Sequence, residues 1–303
     1  MIIIHQMAKV GSTAIYNALK RAEIESLQTH NLGEQHLIHN ITSFLNPMYP
    51  VERVRNELGL FTEQIIASKQ IELSRLPGNP RQKIITLSRD PVIRWFSALV
   101  QNFSFLKPNV DIFFAEQNSR PAVDDLESFD LIFAAMLEMI NQSNGTLGSD
   151  EFKHHFLHTK HLESENSNNI LRQIGAELMV PFTWFQSNIH DLTGIDLYAQ
   201  PITDGLLITG NKCFDLLYIK FENLRRERIR TEQLISEFVG KKIELLSENV
   251  SHGKEGFDAM QELEDKYYPL FMDCPNISNS IYCTHFKYPE PAGNHMQTEF
   301  TVS

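Results

Sequence analysis

Ile2-Ile3-Ile4-His5-Gln6-Met7-Ala8-Lys9-Val10-Gly11-Ser12-Thr13 is the stretch whose reading decides the fold. Residues 2–6 form a short apolar run that reads as a buried strand. Residues 7–13 are a polar, glycine-containing loop. From 13 to 22, Ala14, Ile15, Ala18, Leu19 and Ala22 recur at helical spacing, and Ser12 or Thr13 is a natural N-cap. The unit is therefore strand, loop, helix. Gly11 lets the backbone turn and approach a ligand closely. Unsatisfied N–H groups at a helix start attract an anion. Lys9 adds a mobile cation, and Ser12 and Thr13 add hydroxyl donors. An ordinary capped loop with no ligand fits the same residues. A Walker A loop does not, because there lysine follows the second glycine.

Working outward, residues 24–29 read as a second short strand. Residues 33–60 read as loop and helix, broken at Asn46-Pro47 and Tyr49-Pro50. After the turn Leu76-Pro77-Gly78-Asn79-Pro80, residues 83–88 read as a buried strand. Asp90-Pro91 then opens a helix as N-cap and first residue. Residues 128–140 carry one apolar stripe, Phe129, Ile132, Phe133, Met136, Leu137 and Ile140. Further strands are expected at 206–209 and 216–220, and a charged helix at 229–239. Strands alternating with helices predict an α/β fold, three-layered, with a mostly parallel central sheet flanked by helices. No repeat or linker divides the chain. Residues 1–290 are expected to form one domain, with 291–303 a loose tail.

Composition narrows the function classes. The 42 % apolar content over 303 residues supplies a sizeable core, and the net charge of −11 argues against nucleic acid or an anionic membrane as partner. The three cysteines, Cys213, Cys274 and Cys283, match no metal spacing and read as those of a reducing compartment. No apolar run approaches the roughly 20 residues that span a bilayer. Met1-Ile2-Ile3-Ile4 lacks a charged leader. A cytoplasmic protein is expected.

Ser88-Arg89-Asp90-Pro91-Val92-Ile93-Arg94-Trp95-Phe96-Ser97 follows the predicted third strand. Arg89 leaves the strand tip. Asp90, Arg94, Ser97 and Gln101 form a polar stripe on the helix. Arg89 and Ser97 suit a phosphate, the guanidinium supplying bidentate bonds. A capped helix with an Asp90–Arg94 pair accounts for Asp90 and Arg94, but not for Arg89 with Ser97.

Here the chain resembles the PAPS-dependent sulfotransferases (PAPS, 3′-phosphoadenosine-5′-phosphosulfate). Lys9-Val10-Gly11-Ser12-Thr13 is similar to their 5′-phosphosulfate loop, with Ala8 in place of the usual proline. Arg89-Asp90-Pro91 through Arg94 and Ser97 is similar to their 3′-phosphate motif, about 80 residues on. Pro181-Phe182-Thr183-Trp184-Phe185, Gly194-Ile195-Asp196, Leu217 through Leu224, Ser280-Ile281-Tyr282 and His285-Phe286 resemble a bacterial branch of capsular-polysaccharide or carbohydrate sulfotransferases. The resemblance covers about residues 1–290. It implies a P-loop-like fold and transfer of a sulfuryl group from PAPS to a hydroxyl, on a carbohydrate acceptor, with no metal required. It places Lys9 and the backbone of Val10, Gly11, Ser12 and Thr13 at the 5′-phosphosulfate, and Arg89 and Ser97 at the 3′-phosphate. The family's third, glycine-rich motif has its nearest counterpart in 251–256, which nominates Lys254 for cofactor binding. An exposed loop explains that segment equally well.

A base must take the acceptor's proton, and histidine suits neutral pH. His30, just past the second predicted strand, is the first candidate. His36 and His39 are near it in sequence, and a surface histidine is the competing reading. His5 reads as buried and hydrogen-bonded. His154, His158 and His161 share a helical face, but a solvated or acceptor-binding helix suits them better than zinc. Arg225, Arg226, Arg228 and Arg230 read as a solvated helix start. Trp184 and Phe185 read as packing residues in a loop after Pro181, or as a platform for a sugar ring. Two other functions remain open: a P-loop nucleotide kinase, and a non-catalytic nucleotide- or glycan-binding protein of capsule assembly.

Overall fold

The computed structural model describes residues 1–32, 37–38, 41–42, 45, 51–154, 164–246 and 256–289. Lys254, His36, His39, His155, His158, His161 and the tail at 291–303 lie outside the described residues. The chain forms two compact units, one of residues 1–89 and 183–253, the other of 90–182 and 254–303.

The first unit holds the sheet. Its strands are β1 (Ile2–His5), β2 (Ser26–Thr29), β3 (Gln82–Ser88), β4 (Leu206–Gly210) and β5 (Phe214–Lys220), in the order β2-β1-β3-β5-β4. All pairs are parallel except β4 with β5. β1 and β3 are buried almost throughout because neighbouring strands and helices cover them: Ile3, Ile4, Ile84 and Ile85 are fully buried. Helices Ser12–Arg21, Val51–Ser74 and Arg228–Val239 flank the sheet. The edge strand β2 is blunted by a side chain, since Glu63 on the long helix accepts the backbone N–H of Gln28 at 2.7 Å.

The order places β2 on one side of β1 and β3 on the other. The chain leaves β1 toward β2 and leaves β3 toward β4 and β5, so the connections from these two adjacent strands run in opposite directions. The C-terminal ends of β1 and β3 are therefore the switch point, the place where open α/β sheets bind ligands.

The second unit is helical. Helices Pro91–Gln101 and Asp125–Gln142 pack against Phe257–Asp273. Phe96 stacks on Phe133 and Trp95 meets Phe271 edge-on. Asp90 caps its helix as the sequence predicts, Oδ1 accepting from the N–H groups of Val92 and Ile93. Arg94 is buried and donates to Glu177 at 2.7 Å, so its charge serves this core.

One local expectation fails. Pro181 does not precede a loop; it lies inside the helix Glu165–Phe185, which runs on into a π-helical turn at Gln186–His190. Burial of Leu178, Met179, Trp184 and Phe185 outweighs the hydrogen bond that a proline inside a helix gives up.

Candidate functional site

The loop between β1 and the helix Ser12–Arg21 is shaped by its two ends. Val10 is fully buried and pins the loop to the core. On either side of it, Lys9 has φ 70° and Gly11 φ 74°, whereas Val10 itself is outside the positive-φ region. Alternation of backbone hand is the feature by which a loop can turn successive peptide N–H groups toward one side, as anion-binding loops do. For Gly11 the conformation is natural. For Lys9 it is strained, of order 1–3 kcal/mol, and such strain persists only where neighbours fix it.

Arg89 supplies one such constraint. It stands one residue beyond β3, and its Nη1 donates to the Lys9 carbonyl at 2.8 Å. The guanidinium also lies over the Phe221 ring, 4.4 Å from its centroid. Phe221 in turn fills the space a side chain at position 11 would need: a Cβ there would sit 2.3 Å from a ring carbon. Glycine at 11 is thus required by its φ and by Phe221 together. The strand tips of β1, β3 and β5 form one assembly of Lys9, Gly11, Arg89 and Phe221.

Capping differs from the sequence expectation. Gly11 is the N-cap, with no side-chain cap, and Ser12 is the first helical residue. Ser12 does not cap because its Oγ is held by two glutamine amides, Gln6 Nε2 at 2.8 Å and Gln28 Nε2 at 2.7 Å. Both lone pairs of this hydroxyl accept, so what it can offer a ligand is its proton. Thr13 is half-buried, the second residue of the helix.

His30 stands beside the loop, just past β2. Its Nδ1 is 2.8 Å from Gln6 Nε2 and 3.3 Å from the Gln6 carbonyl. Its own carbonyl accepts from the Trp184 indole at 2.9 Å. Trp184 and Phe185 are buried, and Trp184 lies against the His5 ring. They pack rather than offer a sugar platform. His5 is fully buried, its Nε2 2.9 Å from the Asn188 carbonyl, as the sequence implies.

Ser97 is half-buried on the helix Pro91–Gln101, in the second unit. The structure therefore brings together Lys9, Val10, Gly11, Ser12, Thr13, His30 and Arg89. The sequence reading missed Gln6, Gln28 and Phe221. A glutamine closing a strand carries no motif, and Phe221 reads simply as the next apolar residue after β5. Comparison with protein-family models, curated proteins and solved structures gave no match to the chain. No group of metal-ligating side chains occurs among the described residues, and none of their helices is long and apolar enough to cross a membrane.

Proposed function

We propose that this protein is a PAPS-dependent sulfotransferase of P-loop-like fold that modifies a hydroxyl of a carbohydrate. One observation carries the reading. The loop with positive φ at Lys9 and Gly11, and the guanidinium of Arg89, meet at the switch point of a parallel sheet, joined by the 2.8 Å bond to the Lys9 carbonyl. A loop of alternating backbone hand, a lysine within it and a guanidinium bonded to it suit a ligand with more than one anionic end.

In this reading Lys9 and the N–H groups of Gly11 to Thr13 hold the 5′-phosphosulfate, and Arg89 holds the 3′-phosphate. The acceptor oxygen attacks sulfur, the bond from sulfur to the 5′-phosphate oxygen breaks, and the acceptor's proton passes to a base. Such transfer demands alignment of the three reacting atoms and stabilisation of charge growing on the leaving phosphate. Lys9 is the residue suited to that second task. Histidine chemistry nominates His30 for the base.

Sulfate transfer from labelled PAPS to a panel of uncharged and acidic glycans tests the reading. Lys9-dependent labelling of at least one glycan is expected. A folded protein that binds the cofactor yet labels none would favour a non-catalytic binding protein.

A further inference from the structure

Phe221 follows β5 immediately and touches both neighbouring strand tips. Its N–H donates to the carbonyl of Ser88, the last residue of β3, at 2.8 Å. Its ring lies against the Arg89 guanidinium, whose central carbon is 4.4 Å from the ring centroid. The same ring stands against Gly11, where a Cβ would come within 2.3 Å of a ring carbon.

Arg89 closes the circuit. Its Nη1 donates to the Lys9 carbonyl at 2.8 Å. That carbonyl and the Val10 N–H belong to one planar peptide, so a bond that fixes the first fixes the direction of the second. Lys9 has φ 70°, a conformation that a lysine keeps only where its surroundings hold it. The contacts run in a ring: Arg89 to Lys9, along the chain to Gly11, from Gly11 to Phe221, and from Phe221 back to Arg89. Packed side chains and hydrogen bonds in continuous contact are what carries coupling between sites.

We infer that Phe221 and Arg89 are positioning residues for the loop at Lys9 to Gly11, and that through them the two phosphate ends of the ligand are coupled. This rests on the sulfotransferase reading and deepens it. There, Arg89 acts on the 3′-phosphate alone. Here it acts on the 5′ end as well, through the Lys9 carbonyl. Phe221, which holds neither phosphate, acts on both.

The loop is read in the full chain without ligand. The sequence holds two Val-Gly steps, Val10-Gly11 and Val239-Gly240. Protein labelled with 13C-carbonyl valine and 15N-glycine therefore gives one selected amide signal for each, told apart by the loss of one in Gly11→Ala. Gly240 also has a positive φ, 83°, but open space beside it, so its signal is the internal control. Arg89→Ala leaves the Phe221 ring in the chain and is expected to shift the Gly11 signal, with Gly240 unmoved. Arg89→Gln serves if the alanine variant does not fold. Calorimetry then compares adenosine 5′-phosphosulfate, which has no 3′-phosphate, with adenosine 3′,5′-bisphosphate. Arg89→Ala is expected to weaken even the phosphosulfate about 5-fold or more, the low end of couplings between sites. Phe221→Leu is expected to weaken both ligands by similar factors. A Gly11 signal unmoved in the folded Arg89 variant, or phosphosulfate binding indifferent to it, overturns the inference. If the wild type binds neither nucleotide while the Arg89 variant still shifts Gly11, the positioning role stands and the sulfotransferase reading falls.

Discussion

The two ends of the sheet in the first unit both carry cations, yet they are built differently. At the N-terminal end of β5, Arg75, Lys212 and His190 line an open cavity of about 580 Å³. Arg75 there donates to the Leu192 carbonyl, His190 Nδ1 sits 3.3 Å from Asp191, and Asn211 donates to the Thr193 carbonyl at 2.7 Å. These bonds close a surface loop. At the opposite end, Arg89 donates to the Lys9 carbonyl, Phe221 fills the space beside Gly11, and the buried Gln6 amide lies 2.8 Å from both Ser12 Oγ and His30 Nδ1. Cations alone do not make an anion site. In the proposed reading the difference lies in the loop, whose shape is fixed from beneath, so that its donors would be in place before a ligand arrives.

Several substitutions sharpen this contrast. The largest effect is expected at the ammonium. Lys9→Ala should cut sulfate transfer about 100-fold or more, the scale of losing an oxyanion-type donor, whereas Lys212→Ala should leave turnover unchanged. Equal losses, or no loss at Lys9 in a folded protein, would erase the distinction between the ends. Next, Arg89→Ala should weaken binding of adenosine 3′,5′-bisphosphate by about 10–100-fold, as expected when charge-assisted bonds are removed. Arg75→Ala, measured by the same titration, should not.

A matched pair of glycines gives a smaller, purely structural test. Gly11 and Gly194 have nearly the same φ, 74° and 73°, but a Cβ at 11 would meet Phe221 at 2.3 Å, while at 194 the nearest atom is 3.9 Å away. Alanine at either site carries about 1–2 kcal/mol of left-handed strain. Gly11→Ala should add a further cost of about 1–3 kcal/mol from overpacking. Denaturant unfolding of both variants measures the difference, and equal losses would mean that Phe221 does not shape the loop.

The smallest effect concerns the strand between the ends. Burial holds the Tyr218 hydroxyl well above its ordinary value of 10.0. The unfolded chain then releases this proton first, so the stability it contributes is present below pH 10 and declines as pH rises beyond it. Tyr218→Phe should lose less stability between pH 9 and pH 11 than the wild type does. A loss as steep as the wild type's would show that Tyr218 is not the group responsible.

Much of this architecture was legible in the residues. Ile2 to Ile4, Lys83 to Ser88 and Leu216 to Lys220 are short runs centred on adjacent branched or aliphatic residues, which suit a covered sheet, and all three lie in strands. Asp90-Pro91 gave a helix start because capping is local chemistry. Lys9, Gly11 and Arg89 were readable as residue types at strand ends. What stayed hidden depends on contacts distant in sequence. Ser12 was expected to cap a helix and instead accepts from Gln6 and Gln28, the latter 16 residues away. Phe221 sets the space above Gly11 from the other end of the unit's sequence. Pro181 marked a break on local grounds, and the burial of its neighbours carried the helix through it.

The most direct test is calorimetric titration of the wild-type protein with adenosine 3′,5′-bisphosphate and, separately, with Mg-ATP, each repeated on Lys9→Ala and Arg89→Ala. Tight, metal-independent binding of the bisphosphate that weakens in both variants, with Mg-ATP binding far more weakly, is the predicted result. Preference for Mg-ATP, or bisphosphate binding indifferent to Lys9 and Arg89, would contradict the account.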